Sequence, residues 1–174
     1  MNLKGKKVLL RAIEEKDLEI LRKMINDQDF EYKVVGYSFP VSTLQQKRWY
    51  ENTINDKRNL KLVIEYDEKT IGLATLDNID WKNRSAFHGM KLINEAQGKG
   101  IGKDVVMTIC SYAFNELQLN RLEGGMLETN IPSLKLYEKC GWKKEGLFRQ
   151  YAYKNGRYLD YYPVSILREE FKND

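Results

Sequence analysis

A chain of 174 residues with 42% hydrophobic residues is long enough to bury a core without disulfides or metal ions as supports. Its 29 basic and 25 acidic residues are mixed along the sequence and leave a net charge of only +4, which disfavours a nucleic-acid-binding protein. A single histidine, the absence of a CxxC pair and the lack of long apolar stretches disfavour a zinc site and a membrane partner. The length predicts one domain over residues 1–174, and the cysteine and histidine content predicts no metal. Because the N-terminus has no apolar leader, we expect the protein in the cytosol.

The first half of the sequence is predicted to contain one strand, two helices and then three strands. Residues 7–13 form the first strand, and apolar residues at helical spacing predict a helix over 15–26. Residues 28–41 mix aromatic residues with glycine and proline and are expected to form a loop. A capping box that begins at Ser42 starts the second helix, which runs to about Asn55. The three strands follow at about residues 60–66, 71–76 and 84–93.

The middle of the sequence is expected to form a glycine-rich loop over residues 94–102, followed by a helix to about Glu116. A strand over 119–127 comes next. The pair Gly124-Gly125 interrupts it, and such a pair indicates either a bulge or a close approach of another part of the chain.

The last part of the sequence is predicted as a helix followed by a hairpin. Asn130 is placed to cap the helix and Gly141 to end it. Two strands, at about 142–153 and 158–168, flank the turn dipeptide Asn155-Gly156. The predicted order is therefore β-α-α-β-β-β-α-β-α-β-β, which indicates an α+β fold with a mixed sheet.

The most informative segment is the run Gln97-Gly98-Lys99-Gly100-Ile101-Gly102, between a predicted strand and a predicted helix. Glycines at such a turn let the backbone approach a ligand, and the helix N-terminus adds partial positive charge. The run therefore favours a pyrophosphate site, although a turn without a ligand stays open. It lacks the GxxxxGK[ST] pattern of a Walker A loop and the GxGxxG spacing of a Rossmann fold.

This run resembles the Q/R-x-x-G-x-G/A signature of the GNAT acetyltransferase superfamily. Residues 130–142 resemble the second motif of that superfamily, N-x-x-[SA]-x-x-[LI]-Y-x-K-x-G-[FW]. Residues 8–18 resemble its opening strand and turn. The tail at 155–160 is similar to one branch, which holds ribosomal-protein N-terminal acetyltransferases and spermidine acetyltransferases. The resemblance thus covers nearly the whole chain.

The resemblance implies a mostly antiparallel central sheet flanked by helices, in a single GNAT-like domain. The strands at about 84–93 and 119–127 would splay apart around the pantetheine arm of acetyl-CoA, the expected co-substrate. The residues implied to bind it are Leu92 and Ile93 through backbone N–H groups, together with Gln97, Gly98, Lys99, Gly100, Ile101, Gly102, Asn130 and Ser133.

Acetyl transfer to an amine requires a neutral amine, a polarised thioester carbonyl and a proton for the departing thiolate. Tyr137 matches the tyrosine of the family and is the expected acid, because a phenol stays protonated at neutral pH. Many relatives place a glutamate where this chain has Phe87. His88 or Glu123 is therefore the candidate base, and a water relay stays equally open.

The acceptor amine is expected to contact the stretch from residue 29 to 50, with Glu31, Tyr32 and Tyr37 as candidates. Ordinary packing of these aromatic residues is the competing interpretation. Protein N-termini, polyamines, amino sugars and aminoglycosides all stay open as acceptors, and the absence of a strong acidic cluster disfavours polyamines. A non-catalytic acetyl-CoA-binding regulatory module is the alternative function. The chain is expected to be a monomer or a homodimer.

Overall fold

The computed structural model describes residues 1–36 and 39–172, and one sheet of nine strands runs through them. In chain order the strands are β1 (Leu3–Lys4), β2 (Leu9–Arg11), β3 (Leu60–Tyr66), β4 (Lys69–Asp80), β5 (Ser85–Leu92), β6 (Arg121–Leu127), β7 (Lys143–Lys144), β8 (Phe148–Lys154) and β9 (Arg157–Leu167). They lie side by side as β1-β2-β3-β4-β5-β6-β9-β7, with β8 also paired to β9. β5 and β6 are parallel, and the other pairs are antiparallel.

The helices are α1 (Leu18–Ile25), α2 (Gln28–Glu31), α3 (Thr43–Ile54), α4 (Ile101–Ser111) and α5 (Ile131–Lys139). The predicted capping box starts α3, since Ser42 Oγ accepts the N–H of Gln45 and the Gln45 side chain accepts the N–H of Ser42. α4 continues into a π-helical turn over Tyr112–Glu116. In the part of the chain that the structure describes, no helix has the length and apolar character needed to cross a membrane.

The two faces of the sheet are covered by different helices, as alternation along β3 shows. Leu62 joins Val105 of α4 in the main apolar core, which also takes in α5. The next residue, Val63, packs with Leu21 of α1 in a second core that includes α3. Because successive side chains of a strand point to opposite faces, α4 and α5 cover one face, and α1 and α3 cover the other.

The mixed sheet flanked by helices confirms the predicted fold class, with three local corrections. The short strand β1 at Leu3–Lys4 has no counterpart among the predicted elements. The expected loop over 28–41 contains the short helix α2, because the carboxylate of Asp27 accepts the N–H groups of Asp29 and Phe30. The expected strand over 142–153 is divided into β7 and β8, which a stretch of three residues separates. The Asn155-Gly156 turn is confirmed, and both residues have the positive φ that this hairpin turn requires.

The sheet opens between β5 and β6, as the resemblance implies. These strands pair only where Ser85, Ala86 and Phe87 face Arg121, Leu122 and Glu123, and the later residues of β5 and β6 are unpaired with each other. The predicted bulge at Gly124-Gly125 is wrong, because β6 pairs with β9 in unbroken register through both glycines. The other interpretation, close approach, is correct. A β-carbon on Gly125 would overlap the hydroxyl of Tyr161, and one on Gly124 would lie 3.3 Å from the carbonyl oxygen of His88.

Candidate active site

The open edge of β5 presents unpaired backbone groups to the splayed region. The N–H of Ile93 donates to the carbonyl of Ile71 on β4 at 2.9 Å, so it points away from the opening. Backbone groups of a strand alternate between its two edges, and those of Met90 and Leu92 therefore face the opening. This corrects the expectation for Ile93, and it adds Met90, which the sequence pattern does not mark.

The glycine-rich loop adopts a conformation that depends on its glycines. Gly98 and Gly100 both have φ of +76°, a region that L-residues rarely adopt, and Gly100 caps the N-terminus of α4. Asp104 is the first residue whose N–H bonds back along the helix, to the carbonyl of Gly100 at 3.3 Å. The N–H groups of Ile101 and Gly102 therefore have no partner within the helix, as at any helix start. Together these features form a donor-rich turn that suits an anion.

Lysines add positive charge to this loop. The Nζ of Lys7 donates to the carbonyl of Lys99 at 2.9 Å, which holds one ammonium group against the turn. The carboxylate of Asp104 is directed elsewhere, because it accepts the N–H groups of Lys6, Lys7 and Val8 and so ties the β1–β2 connection to α4. The side chain of Ile101 is buried in the core, so this residue can contact a ligand only through its backbone.

A cavity of about 780 Å³ lies beside the opening and reaches over the α1 and α3 face of the sheet. Its size is that of a small-molecule site. It brings together four of the predicted residues, which are His88, Asn130, Ser133 and Tyr137. Asn130 also caps α5, since its Oδ1 accepts the N–H of Ser133 at 3.3 Å, so the cap and a ligand contact are compatible.

Tyr137 lies at the wall of this cavity in a largely apolar setting. It is 5% exposed, and its ring packs edge-on against Trp142 with the centroids 4.9 Å apart. Burial raises the pKa of Tyr137 well above that of an ordinary phenol, and the nearby Cys110 and Cys140 add to the shift. The hydroxyl therefore keeps its proton at neutral pH, as an acid requires.

His88 is buried beside Tyr137, and its environment disfavours the role of base. Its Nδ1 lies 3.0 Å from the carbonyl oxygen of Thr75, which can only accept, so Nδ1 carries the proton. Nε2 is buried and bonds to no described residue. Burial lowers the pKa of His88 to about 4, and the Thr75 bond and the charge of Asp77 only partly oppose it. Such a group binds few protons near neutral pH.

Glu123 and two of the predicted acceptor residues, Glu31 and Tyr32, lie outside the cavity lining. Glu123 pairs with Arg121, its Oε1 lying 2.8 Å from Nε of the guanidinium. Glu31 pairs with the buried Lys154, whose Nζ is 2.6 Å from its carboxylate. The hydroxyl of Tyr32 accepts from Gln28 at 2.6 Å. Tyr37 lies outside the described residues. These pairings give Glu123 and Glu31 structural partners of their own.

The cavity instead brings together residues that the sequence pattern did not indicate. Asp77, Thr75 and Lys91 lie on one face of β4 and β5, with Lys61, Trp49, Tyr151 and Tyr161 around them. The sequence of β4 contains one signal for this polar face. Thr75 and Asp77 alternate with the apolar Ala74 and Leu76, which indicates a strand with one buried and one polar face.

Residues 10–162 match a family model described as an acetyltransferase (GNAT) domain. The chain is 29% identical over 168 residues to a spermidine N(1)-acetyltransferase of Vibrio cholerae, which covers 94% of this chain and 95% of that protein. It is 25% identical to an L-amino acid N-acetyltransferase of Escherichia coli, with 92% of this chain and 98% of that protein covered.

Comparison with solved structures also finds an N-acetyltransferase. The spermidine N-acetyltransferase from Vibrio cholerae in complex with CoA and spermine superposes with a TM-score of 0.89 at 27% identity, over 95% of this chain and 98% of that one. These findings confirm the resemblance to the GNAT superfamily and to its branch with spermidine acetyltransferases. They also confirm the predicted fold.

Proposed function

The chain belongs to the GNAT acetyltransferase family, and we propose that it transfers the acetyl group of acetyl-CoA to a primary amine by direct attack in a ternary complex. The acceptor is a small-molecule amine or a peptide N-terminus. The observation that carries this proposal is the single cavity that joins the opening between β5 and β6 to Tyr137. Relatives that are named for spermidine and for L-amino acids support an amine acceptor.

The residues around the opening fit acetyl-CoA. The loop from Gln97 to Gly102 holds the pyrophosphate through backbone N–H groups and the start of α4, and Lys99 adds charge. The open edge of β5 at Met90 and Leu92 holds the pantetheine arm and polarises the thioester carbonyl. Asn130 and Ser133 contribute side-chain contacts from α5. Acetyl-CoA supplies an activated acetyl group, whose bond to sulfur breaks as the bond to nitrogen forms.

Tyr137 acts as the acid in this proposal. Its Oη holds a proton at neutral pH because burial raises the pKa, and it donates that proton to the departing sulfur. The amine nitrogen must lose a proton before or during attack. His88 and Glu123 are poorly suited to take it, for the reasons of burial and pairing given above. We propose that water in the cavity removes it.

We also propose that the protein works in the cytosol. Cys110 and Cys140 are buried and form no disulfide within the described residues, a state that reducing compartments maintain. As an assembly, the chain is proposed to be a monomer or a homodimer, which light scattering measures directly.

The first experiment measures release of free thiol from acetyl-CoA across a panel of amines: peptides, polyamines, amino sugars, aminoglycosides and amino acids. Tyr137→Phe removes the acid, and we expect it to lower kcat by about 10²- to 10⁴-fold while acetyl-CoA still binds. Tyr158→Phe, on the exposed hairpin, is the matched control and should leave kcat unchanged.

Two outcomes would contradict parts of the proposal. Turnover that is unaffected by Tyr137→Phe would exclude the tyrosine as the acid. Acetyl-CoA binding without turnover of any amine would instead indicate a non-catalytic acetyl-CoA-binding module.

A further inference from the structure

The charges that line the cavity are unusual for a site that would hold a polycation. Among the described lining residues, the charged ones are Lys33, Lys61, Lys91 and Asp77. Three cations thus face one carboxylate. A polyamine carries several ammonium groups, and each would require an acceptor or an acid to replace its water. The lining favours an acceptor with at least one negative charge of its own.

Asp77 lies at the point where β5 and β6 begin to diverge. It is in direct register with Phe87, the last residue of β5 that pairs with β6. Its Oδ2 accepts the hydroxyl of Thr75 at 2.6 Å and lies 4.0 Å from the position that a β-carbon on Gly89 would take. The carboxylate therefore extends over β5 at Gly89, where no side chain displaces it. Oδ1 makes no hydrogen bond to a described residue, so it is able to accept an ammonium proton.

Lys91 supplies the complementary charge on the same face. It follows Gly89 by two residues, about 6.6 Å along β5. Its Nζ lies 5.7 Å from the centre of the Phe30 ring. Burial lowers the pKa of Lys91, and the charges of Glu31 and Asp77 only partly oppose it. No described carboxylate forms an ion pair with Lys91. Glu31, whose charge acts on Lys91, is instead paired with Lys154. An anionic ligand group would offset the lost hydration of this ammonium.

We infer that the acceptor is a small zwitterion, an amine with an anionic group a few bonds away, whose ammonium binds Asp77 and whose anionic group binds Lys91. This inference rests on the proposed function and narrows its acceptor. The carboxylate of Asp77 lies over Gly89, about 6.6 Å along β5 from Lys91, and this spacing suits an amino acid or a comparable small molecule. The excess of lysines over carboxylates in the cavity lining excludes a long polycation as the preferred acceptor.

The test measures equilibrium binding by calorimetry in the presence of CoA, which cannot donate an acetyl group. The probes are L-amino acids with their amides, O-phosphoethanolamine with ethanolamine, and spermidine. We expect a carboxylate or phosphate probe to bind about 10- to 100-fold more tightly than the matching amine that lacks the anionic group, the range of a charge-assisted hydrogen bond. The two pairs show whether the anionic group is a carboxylate or a phosphate.

Variants of Lys91 and Asp77 test whether these residues cause the preference for probes with an anionic group. Lys91→Met should remove the preference for the anionic probe, and Lys91→Arg should restore part of it, which a structural role for Lys91 would not produce. Asp77→Asn should weaken every amine probe by a similar factor. Lys47→Met, at an exposed position of α3, is the control and should change nothing.

Equal or tighter binding of the amides or of spermidine would overturn the inference, as would a preference that survives Lys91→Met. Because the readout is binding, it stays informative when turnover is absent. Absence of turnover with every amine would contradict the proposed function, and a preference for amines without an anionic group or for polycations would contradict only this inference.

Discussion

At the scale of single residues, the only histidine of the chain couples folding to pH. Burial lowers the pKa of His88 to about 4 from 6.5, so between these values the unfolded chain binds a proton that the folded chain does not. Stability is therefore complete above pH 6.5 and is lost as the pH falls toward 4. We expect the free energy of unfolding to fall by up to about 1.4 kcal/mol per pH unit in this window. Urea titrations at a series of pH values measure it.

The variant His88→Gln is the control for this prediction. It keeps a side-chain N–H for the carbonyl of Thr75 but cannot titrate, so its stability should stay flat between pH 5 and 6.5. Carboxylates add little in that range, because their ordinary pKa values lie below it. Equal slopes for both proteins would show that His88 takes up a proton in the folded state, and its candidacy as a base would return.

A second residue-scale prediction concerns Asp17, which is 1% exposed. Burial alone would raise its pKa, but hydrogen bonds from Arg11, Thr70 and the N–H of Glu14 outweigh burial and lower the pKa to about 2. The pair with Arg11 should therefore stabilise the fold above the ordinary carboxyl pKa of 3.8 and lose that effect as the pH falls toward 2.

Asp17→Asn should cost about 3 kcal/mol of unfolding free energy at pH 7, because it removes one of the two carboxylates that contact the partly buried Arg11 and leaves only Glu65. The difference from the unmodified chain should shrink below pH 4. Glu19→Gln, which removes an exposed ion pair on α1, is the control and should cost under about 1 kcal/mol. A difference that stays constant down to pH 2 would mean that the charge of Asp17 is not the cause.

At the scale of elements, two turns each require a glycine with positive φ. Comparing them distinguishes the cost of backbone strain from a role in ligand binding. Gly98 has φ of +76° and Gly156 has φ of +80°, and no atom lies within 4 Å of a β-carbon built on either. An alanine at either position should destabilise the fold by a similar amount, about 1–2 kcal/mol, through the left-handed backbone alone. Only Gly98→Ala lies in the proposed pyrophosphate loop, so only that variant should weaken acetyl-CoA binding, measured by calorimetry. Equal affinities in the two variants would remove this loop from the cofactor site.

The sequence predicts best those elements whose determining residues lie close together in the chain. The capping box at Ser42, the Asn155-Gly156 hairpin and the glycine-rich loop each arise from residues a few positions apart, and the structure contains all three. The structural pairing of Glu31 is not visible in the sequence, because the partner residue is distant in the chain. Lys154, which pairs with Glu31, lies 123 residues from it.

The polar face of the cavity was missed for a related reason. Asp77 lies opposite Phe87, where many relatives have a glutamate, only through the register of β4 against β5, and a short alternating pattern does not fix strand register. The paired glycines show a milder form of the same limit. Their pattern indicated either a bulge or a close approach, and only the position of Tyr161 on the neighbouring β9 selects the second.

At the scale of the whole molecule, the opening between β5 and β6 divides a sheet whose core is nevertheless shared. Three residue pairs join the strands there, yet one apolar core extends from Leu10 of β2 to Ile166 of β9, on both sides of the opening. We therefore predict that the chain unfolds as one domain. Calorimetry should give a single transition, with equal van't Hoff and calorimetric enthalpies.

Acetyl-CoA should stabilise this whole unit, because its proposed site spans both halves of the sheet. At a concentration 100 times its Kd, a ligand that binds only the folded chain adds about 2.7 kcal/mol, which for a chain of this size raises Tm by roughly 5–10 °C. The Gly98→Ala variant should show a smaller rise at the same concentration, while Gly156→Ala should show the full one. Two transitions, of which acetyl-CoA moves only one, would instead mean that the halves on either side of the opening fold separately and that the cofactor is held by one of them.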